Sequence, residues 1–154
     1  MGLGQEPRGA ASSALASVDS RPEVLLEAPE GAQAAVLWGL LADRGYKVSW
    51  CPGPEGPPPS WCPLLGGCRC ALVDSADVVV SALGFHDESC RQVLGELGRL
   101  HPEAAVIVEA PPPAAAQWAP LLRGHQVLHG PLSTGALLEA VEAALSRPIS
   151  ERGS

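Results

Sequence analysis

Hydrophobic positions along the chain follow two alternating rhythms. From Val24 onward, short apolar runs take turns with longer stretches in which apolar residues recur every three or four positions. Val24-Leu25-Leu26 is the first run and ends at Ala28-Pro29-Glu30-Gly31, a turn-like stretch. Ala32 to Arg44 carries Val36, Leu37, Leu40 and Leu41 on a helical stripe, with Gly45 as its C-cap. Lys47 to Cys51 predicts a second strand with Val48 and Trp50 on one face. Asp77 to Leu83 (DVVVSAL) predicts a buried strand. Glu88 to Leu100 predicts a helix with Val93, Leu94, Leu97 and Leu100 at helical spacing, ended by His101-Pro102. Ala104 to Glu109 (AAVIVE) is a fourth strand, with Pro111-Pro112-Pro113 as a rigid exit. Ala114 to Arg123 is at best a short helix, limited by Pro120, and Gln126 to His129 is a fifth strand. Ser133 is a good N-cap for a last helix reaching Ser146, with Leu137, Leu138, Val141 and Leu145 inward.

Strands alternating with helices at this spacing imply a parallel sheet covered on both faces. The expectation is an α/β, flavodoxin-like three-layer sandwich with a five-stranded parallel sheet of order 2-1-3-4-5. One domain over residues 22–146 accounts for the pattern. Residues 1–21 are small and polar and read as a disordered tail, and 147–154 as a flexible one. Between the second and third strands the rhythm stops. Pro52 to Cys70 (PGPEGPPPSWCPLLGGCRC) cannot hold a long helix, because each proline removes a donor and clashes with the preceding turn. The loop 51–70 thus stands in place of a second helix.

Composition narrows the function. With 46% apolar residues among 154, the chain builds an ordinary core and is too hydrophobic for a disordered protein. Seventeen acidic against ten basic residues, a net charge of −7, argue against a duplex nucleic-acid binder, which needs a basic face. No apolar stretch approaches the roughly 18 residues of a membrane helix. The first twenty residues are too broken by serine for a signal-peptide core, so a cytoplasmic location is expected.

Four of the five cysteines, Cys51, Cys62, Cys68 and Cys70, fall in that proline-rich loop. In a reducing cytoplasm such clustering favours metal or redox chemistry over a disulfide framework. Four thiolates suffice for a closed zinc site or an iron–sulfur cluster. The spacing lacks paired C-x₂-C knuckles, however, and Cys68 and Cys70 point oppositely in an extended segment. A three-thiolate site of Cys51, Cys62 and Cys68 therefore matches as well as a four-thiolate one. A thiol–disulfide pair and ordinary packed thiols remain open readings beside both.

Other candidates are local. His86, Asp87 and Glu88 follow the third strand at the edge where ligands bind in such folds, and Asp87 is also a natural N-cap. Cys90 lies in the first turn of that helix, where a thiol is either activated or simply buried. Glu27, Glu109 and His86 offer acid–base groups for a small enzyme at the sheet edge. Glycine loops for phosphate and GxSxG nucleophile elbows are absent.

Two phrases resemble the receiver domain of two-component response regulators. Ala76-Asp77-Val78-Val79-Val80-Ser81-Ala82-Leu83 is similar to the receiver's third strand, P-D-hhhh-D-h. His129-Gly130-Pro131-Leu132-Ser133 with Leu137-Leu138 is similar to the K-P-F-S/T-x-x-x-L-L that joins the fifth strand to the last helix, and Glu103 to Ala110 occupies the place of the fourth strand. The resemblance implies a signalling module. It puts the cation-binding acidic pair at Ala28 and Pro29, next to Glu27, the phosphoacceptor at Ala82, the switch residue at Glu109 and the lysine at Gly130. None of these matches the family's residue, although Glu27 and Glu30 retain carboxylates near the cation position. The implied protein is a non-phosphorylatable pseudo-receiver that acts through protein contacts, a second copy of the chain included. Since receivers pair through the face near the fifth strand, its interaction surface is expected at Trp118, Leu122, His125 and His129, with Leu121 alongside.

Overall fold

The computed structural model describes residues 20–54, 62–129 and 133–147. Both tails fall outside these apart from a few residues, as do Gly130, Pro131 and Leu132 of the second receiver-like phrase. Five strands, β1 (Glu23–Glu27), β2 (Lys47–Cys51), β3 (Val78–Ser81), β4 (Val106–Glu109) and β5 (Gln126–Leu128), form one sheet of order β2-β1-β3-β4-β5. Every neighbouring pair is parallel, as the alternation of strands and helices requires. A bond from the Glu23 N–H to Asp77 Oδ2 (2.8 Å) ties the start of β1 to the residue before β3.

Alternation along the strands gives the sheet two different faces. On face one, Val24, Leu26, Ala28, Val78, Val80, Ala82 and Ile107 pack against α1 (Ala32–Asp43) and the C-terminal helix α6 (Thr134–Ser146). On face two, Leu25, Val79, Val106 and Val108 pack against Leu64, against Val73 of α2 (Ala71–Ser75), and against Val93, Leu94 and Leu97 of α3 (Glu88–Leu100). Leu122 completes that cluster from α5 (Ala119–Leu122), which follows α4 (Pro112–Gln117).

Several local expectations need correction. Val36 is 66% exposed, because α1 turns inward through Ala34, Leu37 and Leu41. Val36 stands about 100° around the helix from its neighbour Leu37. The place of a second helix holds a 3₁₀ turn (Pro63–Gly66) and then the five-residue α2, which begins at Ala71 after the glycine pair and the C-x-C. Pro111-Pro112-Pro113 is the start of α4 instead of an extended exit, since the first turn of a helix needs no proline N–H. The helix expected over 114–123 is two pieces broken at Trp118, with Pro120 in the first turn of the second. Ser133 caps α6 as expected, its Oγ accepting the Ala136 N–H at 3.2 Å. No helix among the described residues is long and apolar enough to cross a membrane.

Candidate functional site

At the C-terminal edge of the sheet, the strand ends are joined by backbone bonds. The Ala82 N–H donates to the Glu27 carbonyl (2.7 Å) and the Ala28 N–H to the Cys51 carbonyl (3.1 Å). Ala28 and Ala82 are both buried, so methyl groups occupy the positions where the resemblance puts carboxylates. Glu27 shares its parity with Leu25 and faces side two, whereas Glu109 shares its parity with Ile107 and faces side one. There Gln33 Nε2 donates to Glu109 Oε2 at 3.5 Å. His86 is exposed. The acid–base trio Glu27, Glu109 and His86 is thus divided between opposite sides of the sheet. Glu30, the other carboxylate considered for a cation, is exposed and lines a slot of about 230 Å³ beside Trp38 and Trp50. Asp87 takes the N-cap position of α3 with extended backbone but makes no side-chain cap bond, and Cys90 is buried in the core beneath it.

The chemistry gathers instead on face two. Glu27 is 3% exposed and its Oε1 has no hydrogen-bond partner. Burial pushes its carboxyl up to about 7, because the charged form loses its water. In the sheet Glu27 stands between Cys51 on β2 and Ser81 on β3. The Cys51 sulfur accepts the Gly53 N–H at 3.4 Å. Gly53 has a φ of +85° and sits so close to Leu83 that a Cβ would lie 2.6 Å from Leu83 Cδ2, so the turn after β2 requires glycine.

Cys62 occupies the N-cap of the 3₁₀ turn, where the Leu64 and Leu65 N–H groups face its sulfur. Cys70 occupies the N-cap of α2, and its N–H donates to His101 Nε2 at 2.9 Å. All three cysteines are half-buried against the face-two cluster. Burial first, and then the nearby charges of Glu27, Cys62 and Cys70, hold the Cys51 thiol above its ordinary value, while the Gly53 N–H opposes them. Burial likewise raises Cys62, with Glu27 and Cys70 adding to it and the two backbone N–H groups opposing. Cys68 is apart from this group: it is exposed, with its thiol 3.8 Å from the Gly66 carbonyl. The structure therefore groups Cys51 and Cys62 with Cys70 in place of Cys68. Within the C-x-C, Cys68 is exposed and Cys70 is half-buried.

Among the described residues, the set of three metal-type side chains whose ligand atoms all lie within 4.8 Å of one another is Asp74, His101 and Glu103. Its chemistry is that of a clasp. Arg69 Nη2 donates to Asp74 Oδ1 and Glu103 Oε1, each at 2.5 Å, and Nη1 to the Leu100 carbonyl at 2.6 Å. Because His101 Nε2 accepts the Cys70 N–H, its proton is on Nδ1, which faces Asp74 Oδ1 at 3.4 Å and Glu103 Oε1 at 3.7 Å. A guanidinium and an N–H fill the space between the carboxylates and offer no lone pair to a metal. Burial, and then the Arg69 charge, hold His101 below its usual range. This clasp fastens the cysteine segment to the end of α3. The sequence singled out neither Arg69 nor His101 for such a role.

The interaction surface expected near β5 is only partly at the surface. Leu122 is buried in the core, His125 is half-buried against Gly98 of α3, and His129 is exposed. Trp118 carries the Arg91 guanidinium 4.5 Å from its ring centroid. Arg91 is held by the Phe85 and His86 carbonyls at 2.6 and 3.3 Å. Between α3 and the broken helix lies a groove of about 690 Å³, with Leu65, Arg91, Gly95, Trp118 and Leu121 in its wall.

No family model matches the sequence, and no curated protein does. Solved structures do match in fold. A response regulator receiver domain protein from Clostridium thermocellum is 20% identical, with a TM-score of 0.60 over 80% of this chain and 94% of that one. A response regulator receiver protein from Sinorhizobium medicae is 19% identical, with a TM-score of 0.56 over 82% of this chain and 95% of that one. A CheY-like receiver domain protein from Methanospirillum hungatei is 14% identical, with a TM-score of 0.60 over 82% and 94%. Strand order, covering helices and these similarities agree: the chain has the fold of a response-regulator receiver domain.

Proposed function

We propose that this chain is a regulatory module on the receiver fold that acts through a fixed protein-contact surface, without an aspartyl-phosphate switch. The observation that supports this most directly is the pair of buried alanines, Ala28 and Ala82, at the strand ends. Phosphotransfer to a receiver needs a nucleophilic carboxylate, a cation to neutralise developing charge and a lysine on the phosphoryl group. At the corresponding positions this sequence has alanine, Ala-Pro and glycine (Ala82, Ala28-Pro29 and Gly130). The groove beside Arg91 and Trp118 supplies a contact surface whose aromatic and guanidinium groups are of the kind that anchor protein interfaces.

Intact-mass measurement after incubation with acetyl phosphate and Mg²⁺ tests the first half, and an unchanged mass is expected. A phosphate adduct on any carboxylate at the strand ends overturns the reading. For the second half, a photo-reactive residue at Gln92, in the groove, is expected to cross-link one discrete protein in cells. The same residue at Glu139, on the exposed side of α6, is expected to give none. Equal cross-linking from both positions overturns the contact surface.

A further inference from the structure

We propose that Glu27, Cys51, Cys62 and Cys70 together form a four-donor site for a zinc-class divalent ion, beneath face two at the end of the sheet. Three observations lead there. The Glu27 carboxylate is almost wholly buried with Oε1 unpartnered, and a buried oxygen of that kind calls for a proton or a cation. The sheet register sets Cys51 directly opposite Glu27, while Cys62 and Cys70 reach the same apolar cluster from the caps of the 3₁₀ turn and α2. Each of the four residues lies at the end of a regular element, so its backbone is positioned by hydrogen bonds instead of by the proline-rich connection.

The donor set selects the ion. Three sulfurs and one carboxylate oxygen suit tetrahedral Zn²⁺, whereas Mg²⁺ and Ca²⁺ require oxygen ligands. Cys68 is left out because it is exposed and turned away. The Asp74–His101–Glu103 set is left out because Arg69 and the Nδ1 proton fill it. No three of the four proposed donors lie within 4.8 Å of one another, so the proposal requires their side chains to close on the ion as it binds. The three thiols lose their protons on binding, and those protons go to solvent.

The test uses the full-length chain, reduced and metal-free, titrated with Co²⁺ as a spectroscopic probe. One equivalent is expected to give a sulfur-to-cobalt charge-transfer band that Zn²⁺ abolishes. Cys51→Ser, Cys62→Ser and Cys70→Ser are each expected to weaken Co²⁺ binding by at least about tenfold, with Glu27→Gln keeping the band and losing about tenfold in affinity. Cys68→Ser and Cys90→Ser are expected to bind like the parent protein. Absence of the charge-transfer band overturns the site, as does equal damage from Cys68→Ser and Cys70→Ser, or a Glu27→Gln titration identical to the parent. If a serine variant does not fold, alkylation of the unmodified chain reads the same assignment. Zn²⁺ must then shield Cys51, Cys62 and Cys70 while leaving Cys68 reactive. Any other pattern rejects the proposal.

Discussion

The two faces of the sheet are built from the same five strands and differ in kind. The buried residues of face one are all aliphatic, closed by α1 and α6 with Leu26, Leu41, Leu137 and Val141 fully buried. Face two has a similar aliphatic centre but takes every buried polar residue among those described, namely Glu27, Ser81 and His101, together with three half-buried thiols. The difference follows from what covers each face. Face one lies wholly under two long helices, whereas on face two α3 shares the cover with a 3₁₀ turn and a five-residue helix, whose ends leave backbone groups and polar side chains to be accommodated. Both faces carry an aliphatic core, and face two carries titratable groups in addition.

The largest expected effect is a loss of packing that separates the faces. Leu137→Ala, on face one, is expected to cost about 2–5 kcal/mol in urea unfolding, with labelling rates of the native thiols unchanged. Leu64→Ala, on face two, is expected to lose a similar amount and in addition to speed alkylation of Cys62. Faster alkylation in the Leu137 variant would break the distinction.

Glu27 comes next. Its folded carboxyl titrates near 7 against 4.5 when unfolded, so the native state keeps a proton that the unfolded chain releases between those values. Stability of the metal-free protein therefore falls as pH rises through that window, by about 3 kcal/mol in all. Glu27→Gln is expected to remove this slope, to exceed the parent at pH ~8 and to approach it at pH ~5. A parallel slope in the variant would place the titration elsewhere.

His101 acts in the opposite direction. Its value lies below the ordinary 6.5, so acidification below that point protonates the unfolded chain first and destabilises the fold. His101→Phe is expected to flatten that acid limb and to cost about 1–3 kcal/mol at neutral pH, because the Cys70 N–H loses its acceptor. Smallest is the contact of Arg91 with Trp118. A double-mutant cycle is expected to return about 0.5–1 kcal/mol of coupling, with no change in thiol reactivity.

Much of the fold is legible in the sequence because its signals are local and periodic. DVVVSAL and AAVIVE are short, rich in β-branched residues and therefore read as covered strands, and the spacing of Val93, Leu94 and Leu97 fixes the inward side of α3. Where small and large apolar residues alternate, the stripe misleads: in α1 the inward position belongs to Ala34, and Val36 goes to solvent. The site is less legible because it joins residues far apart in the chain. Cys70 meets His101 across 31 positions and Arg69 meets Glu103 across 34, and no local spacing encodes either contact. Glu27 was within reach of strand parity, since Leu25 and Glu27 must share a face. Read only as a neighbour of the family's acidic pair, it is grouped with Glu109, which lies on the other side of the sheet.

The strand order has a consequence for the order of assembly. β1 lies between β2 and β3, so its second edge is completed only when a partner 54 positions away arrives, as the bond from Glu23 to Asp77 marks. Cys51, Cys62 and Cys70 all lie within the stretch that this pairing closes. Closing so long a loop costs chain entropy before any contact is gained, which makes it a late event relative to the local α1–β2 packing. Cys51 consequently stands opposite Glu27 as soon as β1 and β2 pair, whereas Cys62 and Cys70, on the far side of the proline-rich connection, arrive only with β3.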